Sequence, residues 1–517
     1  MNLGVAITTS ARRDPEATAV FAGERELTYA ELDERTNRLA NVLIDRFQLD
    51  RGERVALLVH NRPAVVEVLG GCAKAGVTYC GLNFRLGDPE YDSIFENAAP
   101  RLLITEAEQR ERADRLGERF AIPVIDVDVD AGDPDHYEGL LAAASAEVPP
   151  VVHEVRPSDD FCIVYTSGTT GRPKGVLFDV NAVMQHGTVA ALEYELSASS
   201  RWLMAIPHNS SLQITLVPLL LVGGAVGFSD TRGFDPTQFA AEVRLTRATH
   251  TFLVPTMLFR VLEAGLDGST MPTLETIGYG SSPIPPDRVR DLVNAFGPIF
   301  IQLYGMAEIA SIGTMLRKGD HARALAGEPH LLSSAGRPSY AVDVRVVDEE
   351  RRDVAVGERG EVIFASAYVM KGYYRDEERT RESLIDGWMH SGDIAEISAD
   401  GFLFIVDRKK DLIIRGGFNI LPSEVENALY RHPAILEAAV VGSPDPEWGE
   451  AVRAFVACKE GSSTTAEELT AWCRSEGLPS IKIPESIEIM ESLPKNAVGK
   501  IAKRDLRDQG WAGTRRV

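Results

Sequence analysis

Two spacings of hydrophobic residues alternate along the first third of the chain. From Leu27 to Phe47 (LTYAELDERTNRLANVLIDRF) apolar residues recur every three or four positions, which predicts an amphipathic helix. Short apolar runs, RVALLV at 54–59 and RLLIT at 101–105, predict buried strands. Because helical and strand-like segments alternate, the pattern predicts a wound α/β sheet.

The pattern changes in the last third. From about Ser334 short strand-like runs are broken by glycine and charged turns, which predicts a distorted, barrel-like β subdomain. After the charged run DRKKD at 407–411 the chain becomes a compact mixture of helix and strand. We therefore expect an α/β fold with a large N-terminal domain over 1–407 and a small α+β domain over 408–517.

The segment from Leu212 to Phe228 is the longest apolar stretch, but polar residues, a proline and Gly223-Gly224 interrupt it. It predicts a buried helix, a turn and a strand rather than a membrane span. The first residues, MNLGVAITTSARRDPE, lack the apolar core of a signal peptide, so we expect a cytoplasmic protein.

The amino-acid composition and net charge limit which partners the protein is expected to bind. Apolar residues make up 44% and charged residues 25% of the 517 positions, as in ordinary globular proteins. The formal net charge of -22 argues against nucleic acid and anionic membranes as partners, since both require clustered lysine and arginine. The five cysteines are scattered and show no metal-ligand spacing, so we expect free thiols.

Candidate chemistry begins at Tyr165–Val176, YTSGTTGRPKGV, between two apolar runs. Glycines let the backbone approach an anion, hydroxyl residues add donors, and Lys174 adds a compact positive charge. This predicts a phosphate-binding loop. It is not a Walker loop, because Pro173 precedes Lys174 and Gly175 follows it. A serine, threonine and glycine stretch is otherwise typical of a linker.

A second polar cluster, QLYGMAE at 302–308, follows the apolar run GPIFI. This position predicts a strand end, where open α/β sheets bind ligands. Taken alone, Tyr304 is typical of a core residue and Glu308 of a solvated one.

These segments closely resemble the motifs of the AMP-forming adenylate superfamily, which contains acyl-CoA synthetases, luciferases and the adenylation domains of peptide synthetases. The resemblance continues, in the same order, through WMHSGDIA (388–395), DRKKD (407–411), RGGFN (415–419) and PKNAVGKIAK (494–503). It implies ATP, Mg²⁺ and coenzyme A as cofactors and a small carboxylic acid as substrate.

The resemblance also implies residue roles. The nucleotide would contact Thr166, Ser167, Gly168, Thr169, Thr170, Lys174, Tyr304, Asp393 and Arg408. Glu308 would bind Mg²⁺, Lys500 would stabilise charge during adenylation, and Lys410 would be the hinge of a mobile C-terminal domain. Gly416, Gly417 and Phe418 would line the tunnel for the pantetheine of coenzyme A. Outside the motif, a lysine such as Lys500 in a glycine turn is typical of an ordinary surface residue.

One position departs from the family motif. The threonine expected before Glu308 is Ala307, so a hydroxyl that would contact the α-phosphate is missing. If no other group compensates, loss of this donor would reduce the stabilisation of the transition state by about 1–3 kcal/mol. Fatty-acyl-AMP ligases resemble this chain in having alanine there.

By the same resemblance, the acyl pocket is lined by His208, Gly280 and Ser281, and His208 would also act among the catalytic groups as a gating residue. The alternative for His208 is a structural histidine. The polar residues Asn209-Ser210-Ser211 favour an acid with polar or ring character over a plain long chain.

The implied activity is an ATP-dependent acyl-CoA synthetase that works through an acyl-adenylate. Three alternatives stay open. The acyl acceptor could be the pantetheine of a carrier protein, the activated group could be nitrite or another small oxyanion attacked by an amine, or the protein could bind nucleotide without catalysis. We expect a monomer or a homodimer.

Overall fold

The computed structural model describes residues 2–129, 133–166, 172–229, 233–282, 284–446, 448–495 and 501–511. The chain forms two compact units. The first unit contains Met1–Val344 and Phe364–His390, and the second contains Arg345–Ile363 and Ser391–Val517. These compact units differ from the predicted division between residues 407 and 408. Where a moving domain begins is a separate property, and the boundary at 408 stays a prediction.

Helices occur throughout the described chain. The α-helices are α1 Leu3–Arg13, α2 Tyr29–Asn41, α3 Ala64–Ala75, α4 Asp88–Ala98, α5 Arg110–Phe120, α6 Tyr137–Ala143, α7 Val180–Glu193, α8 His208–Ser211, α9 Val217–Val222, α10 Pro236–Thr246, α11 Pro255–Glu263, α12 Pro286–Phe296, α13 Lys318–Leu325, α14 Glu377–Ser383, α15 Pro422–Tyr430, α16 Ala466–Ser475 and α17 Lys503–Trp511.

Strands alternate with these helices, most regularly in the first unit. They are β1 Thr18–Ala22, β2 Arg25–Thr28, β3 Arg54–Leu58, β4 Thr78–Gly81, β5 Leu102–Thr105, β6 Val124–Asp126, β7 Asp160–Thr166, β8 Lys174–Asp179, β9 Arg201–Met204, β10 Ala225–Phe228, β11 His250–Leu253, β12 Thr276–Gly280, β13 Phe300–Tyr304, β14 Thr314–Leu316, β15 Arg337–Pro338, β16 Val342–Val347, β17 Arg359–Ser366, β18 Gly372–Tyr373, β19 Leu384–Ile385, β20 Trp388–Ile397, β21 Leu403–Arg408, β22 Ile413–Arg415, β23 Phe418–Ile420, β24 Ile435–Asp445, β25 Gly449–Cys458 and β26 Ser486–Met490.

The first unit is built on two sheets. The larger runs β15-β14-β13-β12-β11-β9-β10-β1-β2, and its neighbours from β13 to β1 are parallel. The smaller runs β18-β8-β7-β4-β3-β5-β6, with parallel pairs from β7 to β6 and an antiparallel hairpin of β7 and β8. Parallel strands end at a common edge, which is where such sheets bind ligands.

The second unit is smaller and mainly β. In it, residues 393–397 of β20 pair antiparallel with 403–408 of β21. A separate sheet runs β23-β22-β25-β24, with β26 parallel to β25, and α15, α16 and α17 belong to the same unit. Its core contains Val425, Val440, Val452 and Leu469, all fully buried. The predicted mixed α/β fold, with a large N-terminal part and a small C-terminal part, is confirmed.

The first residue of helix α2 is set by a capping motif in the neighbouring sequence. The predicted helix from Leu27 begins instead at Tyr29, because Thr28 and Glu31 form a reciprocal capping box. Beyond Asn41 the helix continues as a π-helical turn, Val42–Arg46. The apolar segment at 212–228 also folds as predicted, with a helix through α9, a glycine turn and strand β10.

Membrane-spanning helices and the state of the cysteines can be assessed for the described residues. No helix among them is both long and apolar enough to cross a membrane. All five cysteines lie in this part of the chain as free thiols, as predicted.

A buried ion pair joins the first three helices. Lys74 of α3 is fully buried, and its Nζ donates hydrogen bonds to Asp33 Oδ1 and Asn37 Oδ1, each at 2.6 Å, on α2. Thr8 of α1 donates to the same Asp33 oxygen at 2.6 Å. Burial lowers the pKa of Lys74 to about 8, against the opposing effect of Asp33. The ammonium therefore stays charged at neutral pH and satisfies both acceptors.

We predict that Lys74→Met lowers the free energy of unfolding by about 3–5 kcal/mol, because the mostly buried Asp33 carboxylate loses its counter-charge. Urea denaturation monitored by circular dichroism measures the loss. Lys318→Met is the control, because Lys318 pairs with Glu195, whose side chain is 64% exposed, and such a pair contributes about 1 kcal/mol or less. Equal losses in the two variants would contradict the assigned role of Lys74.

Candidate active site

The hairpin of β7 and β8 holds both ends of the predicted phosphate-binding loop. Thr166, the last residue of β7, is in register with Lys174, the first residue of β8. The loop residues Ser167, Gly168, Thr169 and Thr170 lie outside the described residues. The Thr166 Oγ1 atom is buried and has no hydrogen-bond partner among the described residues. A buried hydroxyl in this state is a donor that a ligand can use.

Lys174 reaches the carboxylate that the sequence predicts as a metal ligand. Its Nζ donates to Glu308 Oε1 at 2.5 Å and to the Tyr373 hydroxyl at 3.0 Å. The Tyr373 hydroxyl in turn donates to the same Glu308 oxygen at 2.5 Å. Glu308 is 2% exposed. The lysine, the tyrosine and the carboxylate therefore form a closed polar triangle, the Lys174–Glu308–Tyr373 triad.

Strand β13 places Glu308 in this triad. The strand ends at Tyr304, and Glu308 follows in a short 3-10 turn, Ala307–Ile309. The Glu308 carbonyl accepts a hydrogen bond from Met370 N at 2.7 Å. The Tyr304 ring lies 6.0 Å from the Phe364 ring, centroid to centroid. As predicted, the QLYGMAE motif lies at the end of a strand in a parallel sheet.

Burial raises the pKa of Tyr373 well above its usual range, and the adjacent Glu308 carboxylate raises it further. The phenol therefore keeps its proton at any physiological pH and acts as a hydrogen-bond donor. The ring also lies beneath the lysine, with Lys174 Nζ 4.8 Å from its centroid.

The end of strand β12 carries the predicted acyl-pocket residues Gly280 and Ser281. A Cβ at Gly280 would lie 2.5 Å from the Leu303 carbonyl oxygen, so the close approach of β13 requires glycine there. Ser281 adopts a left-handed conformation, with φ of 70°, and is exposed. Both residues thus lie at the edge where the parallel strands end.

His208 is fully buried, and both of its ring nitrogens have partners. Its Nε2 donates to the Val59 carbonyl at 3.2 Å, and its Nδ1 accepts from the Tyr79 hydroxyl at 3.3 Å. Its backbone N–H donates to Asn61 Oδ1 at 2.8 Å. Burial lowers the pKa of His208 to about 4, so the ring is neutral at pH 7. This environment is that of a structural histidine.

In the second unit, Asp393 and Arg408 stand opposite each other on β20 and β21. Arg408 Nε lies 3.2 Å from Asp393 Oδ1. The Asp393 side chain is 14% exposed and that of Arg408 is 56% exposed, so the carboxylate is the more sheltered partner. The Asp393 N–H donates to Ser391 Oγ at 3.0 Å, which fixes the turn before it. The structure thus brings together the two predicted ribose contacts.

The predicted tunnel residues form the turn between β22 and β23. Gly416 and Gly417 have φ of 55° and 81°, values that favour glycine. A Cβ at Gly416 would lie 2.7 Å from the Trp448 ring, whereas a Cβ at Gly417 would meet nothing within 4 Å. Phe418 is 64% exposed. Lys410 belongs to a short 3-10 segment, Lys409–Asp411, and its side chain, like Lys500, lies outside the described residues.

Tyr373 is the site residue that sequence reasoning missed. It lies in the run VMKGYYR, outside the motifs quoted above, and nothing in this run indicates that the Tyr373 hydroxyl contacts Glu308. The signal is spatial, because β18 pairs with β8 and carries the tyrosine to the lysine at the start of that strand.

Parallel α/β sheets whose strand ends hold a lysine, a buried carboxylate and, among the described residues, a buried hydroxyl without a partner are typical of proteins that bind nucleotides or similar anionic ligands. The chain belongs to the AMP-binding enzyme family. Residues 7–374 match the model of the AMP-binding enzyme, and residues 424–500 match that of the AMP-binding enzyme C-terminal domain.

Curated relatives agree with the family. A feruloyl-CoA synthase of an Amycolatopsis species is 38% identical over 96% of this chain and 96% of its own length. Medium/long-chain-fatty-acid–CoA ligase FadD8 of Mycobacterium tuberculosis is 31% identical over 98% of this chain and 90% of its own. Fatty acid–acyl-carrier-protein ligase ScoC of Streptomyces coeruleorubidus is 32% identical over 98% and 96%.

Solved structures are similar over nearly the whole chain. ATP-bound MatB from Rhodopseudomonas palustris has a TM-score of 0.88 and 26% identity, with 98% of this chain and 99% of that chain covered. The o-succinylbenzoate CoA synthetase of Bacillus subtilis, in complex with its acyl-adenylate intermediate, has a TM-score of 0.85 and 28% identity over 97% and 98%. The predicted family, fold and enzyme class, an AMP-forming acid–thiol ligase, are confirmed.

We predict that His208 contributes to acid destabilisation. The folded state holds its pKa at about 4 and the ordinary value is 6.5, so the unfolded state binds more protons between these values. Stability from this group is therefore present above pH 6.5 and is lost as the pH falls through 4, by about 3 kcal/mol at pH 4.

Urea denaturation at pH 7 and pH 4 tests this prediction in His208→Gln. The variant should lose about 3 kcal/mol less than the parent between the two pH values, although His250 and His321, whose pKa burial also lowers to about 4, will still contribute. His330→Gln, at an exposed position, is the control. If the unfolding free energy falls by the same amount between pH 7 and pH 4 in His208→Gln and in the parent, His208 does not contribute to the acid destabilisation.

Proposed function

We propose that the protein forms an acyl-adenylate from ATP and a carboxylic acid and then transfers the acyl group to the thiol of coenzyme A. The observation that carries the proposal is the 2.5 Å ion pair of Lys174 and Glu308. It joins the end of the phosphate-binding loop to a carboxylate at the end of a parallel strand. An ammonium group and a carboxylate able to hold a metal ion are the charges that a triphosphate site needs.

In the first half-reaction, a carboxylate oxygen of the acid attacks the α-phosphorus of ATP. The new oxygen–phosphorus bond forms as the bond to the pyrophosphate oxygen breaks. Lys174 and residues 167–170 bind the departing phosphates, and the Thr166 hydroxyl, which has no partner among the described residues, adds a donor. Lys500 neutralises the charge that builds between the carboxylate and the α-phosphate, which is electrostatic stabilisation.

The proposed contacts of the nucleoside involve its adenine ring and its ribose hydroxyls. Tyr304 packs its ring against adenine, and Asp393 accepts hydrogen bonds from the two ribose hydroxyls. The carboxylate can accept both at once, and its low exposure of 14% keeps it from being fully solvated. Arg408, its ion-pair partner, gives the second ribose contact.

Glu308 would hold Mg²⁺, and the residues present fit that ion. Its carboxylate is a hard oxygen ligand, and Mg²⁺ is commonly bound by one or two carboxylates together with substrate phosphates. When bound, the ion supplies charge neutralisation of the phosphates. Lys174 must then exchange part of its contact with Glu308 for the phosphate oxygens.

In the second half-reaction, the thiol attacks the acyl carbon and AMP leaves with the electron pair of the breaking bond. We propose that the C-terminal domain from residue 408 turns about Lys410 between the two steps. This turn would withdraw Lys500 and bring in Gly416, Gly417 and Phe418. The left-handed turn at Gly417, with no atom within 4 Å of a Cβ there, supports a path for a thin chain.

For the acid, we propose a ring-bearing carboxylic acid with polar substituents. Two polar atoms in the segment after His208 support this choice. Asn209 Oδ1 and Thr215 Oγ1 are buried without hydrogen-bond partners among the described residues. The similarity to a feruloyl-CoA synthase points the same way. His208 would close this end of the pocket as a neutral, fixed ring, while Gly280 and Ser281 would line it.

The acceptor has one supported alternative. The relative ScoC is named for an acyl carrier protein, so a carrier-protein pantetheine is the second candidate. The relatives described above are named for acyl-CoA synthesis or for ligation of fatty acids, which favours a carboxylic acid over a small oxyanion. Cytoplasmic location and a monomer or homodimer remain predictions.

Mass spectrometry of the products tests the proposal. The purified protein is incubated with Mg·ATP and a panel of aliphatic, hydroxylated aromatic and polycyclic acids, with and without coenzyme A. We expect AMP and an acyl-CoA, with the highest yield for hydroxylated aromatic acids. Adenylates that accumulate despite coenzyme A would identify a carrier protein as acceptor, and the absence of any adenylate would refute the activity.

Two variants should each impair one half-reaction and spare the other. Lys500→Ala should lower adenylate formation by about 100-fold or more, since it removes a preorganised charge from the transition state. It should largely spare thioester formation from a preformed acyl-adenylate. Gly417→Leu should do the reverse by obstructing the thiol path. Adenylation is measured by pyrophosphate exchange, and the second step by acyl-CoA release.

The matched control for Gly417→Leu is Gly461→Leu. Gly461 also has a positive φ, 74°, and open space around a Cβ, so leucine causes the same backbone strain in the same unit. A similar loss of thioester formation in both variants would show that strain, rather than obstruction, is responsible. Equal loss of both half-reactions in Lys500→Ala would refute the assignment of Lys500 to the first step.

A further inference from the structure

Among the described residues, two side chains with different properties donate to the Glu308 carboxylate. Lys174 Nζ and the Tyr373 hydroxyl both donate to Oε1 at 2.5 Å, and Oε2 takes neither bond. Lys174 is a long side chain that is 22% exposed. Tyr373 is 5% exposed and has only two side-chain torsions. One partner can move away at little cost, and the other cannot.

The backbone of Tyr373 is held from two sides. Strand β18 pairs antiparallel with β8, in a register that sets Tyr373 opposite Val176. The Tyr373 N–H donates to Thr380 Oγ1 of α14 at 2.8 Å. The hydroxyl is therefore aimed from a fixed base rather than from a loop.

The same segment also holds Glu308 through its main chain. Met370 N donates to the Glu308 carbonyl at 2.7 Å, three residues before Tyr373. Backbone and side chain of Glu308 are thus both fixed by residues 370–373. This double attachment would persist after Lys174 has left the carboxylate.

We propose that Tyr373 is a positioning residue for nucleotide binding, whose hydroxyl holds the Glu308 carboxylate in place when Lys174 moves from it to the phosphates. This inference rests on the proposed function, because it assigns Glu308 to the metal and Lys174 to the phosphates. Tyr373 itself contacts neither ATP nor the acid. Its effect is to preorganise the carboxylate. The Glu308 side chain then loses little conformational entropy when the ion and the nucleotide bind.

Tyr373→Phe tests the proposal, since it removes the hydroxyl and keeps the ring beneath Lys174. The readout is the thermal unfolding temperature of the full chain with ATP and increasing Mg²⁺, without acid, so that no turnover occurs. We expect the Mg²⁺ concentration that gives half of the ATP-dependent stabilisation to rise about tenfold, as for loss of a hydrogen bond to a charged group. In a Glu308→Gln background the same change should have no further effect.

Tyr374→Phe is the matched control, because it changes the neighbouring tyrosine, which is outside the triad. If Tyr373→Phe lowers the unfolding temperature equally at every Mg²⁺ concentration and leaves the midpoint unchanged, its role is merely structural and the proposal is overturned. Should that variant not fold, Thr380→Val removes the bond that fixes the Tyr373 backbone. It should also raise the midpoint, and an unchanged midpoint there would overturn the proposal.

The parent protein separates this inference from the proposed function. If the parent shows no Mg²⁺-dependent stabilisation by ATP, the proposed nucleotide site fails and Tyr373 has nothing to position. If the parent responds and Tyr373→Phe responds with the same Mg²⁺ midpoint, only the role of Tyr373 fails.

Discussion

The buried carboxylate of Glu308 is the constraint on which the site in the first unit depends. A carboxylate that is 2% exposed loses most of its hydration and must be compensated by donors and a counter-charge. Lys174 and Tyr373 supply them, and both belong to the smaller sheet, whereas Glu308 follows a strand of the larger one. This polar contact thus joins the two sheets.

This arrangement also resolves an electrostatic difficulty. A chain of net charge -22 would repel a nucleotide triphosphate if the whole charge acted on it. At physiological ionic strength, however, exposed charges more than about 8 Å away are largely screened. In the proposed site, short-range donors would therefore decide whether the nucleotide binds. Under the proposed function, the pairing of Lys174 with a sheltered carboxylate would keep its positive charge at the site until a phosphate competes for it.

The sequence predicts those parts of the molecule that are coded locally. The α2 helix, the turn at Gly416-Gly417 and the strand before QLYGMAE each depend on contiguous residues, and each forms as expected. The family motifs are contiguous too, which is why the enzyme class could be recognised. Tyr373 could not be, because its partner Glu308 is 65 positions away. The partners of His208 lie 129 and 149 positions away, so its structural setting was equally hidden.

The division of the chain shows the same limit on a larger scale. Residues 345–363 join the second unit although they precede the 364–390 segment of the first. Such an exchange depends on strand pairing across long sequence separations, which no local pattern encodes. The predicted boundary between residues 407 and 408 concerns where a mobile domain begins, and it stays a prediction.

Under the proposed function, selectivity for the acid would depend on the cost of unsatisfied polar atoms as well as on attractive contacts. Asn209 Oδ1 and Thr215 Oγ1 are buried without partners among the described residues, and such an atom costs about 1–3 kcal/mol unless a ligand satisfies it. In the proposed pocket, a plain aliphatic chain would leave both unsatisfied, whereas a ring hydroxyl could donate to Asn209 Oδ1 and a hydroxyl or methoxy oxygen could accept from the Thr215 hydroxyl. A site of this kind discriminates strongly against an acid that lacks the polar group. It discriminates less strongly against an acid that carries one extra methylene group. Under the proposed function, we therefore expect these two buried polar atoms to contribute more to the choice of acid than the size of the pocket does.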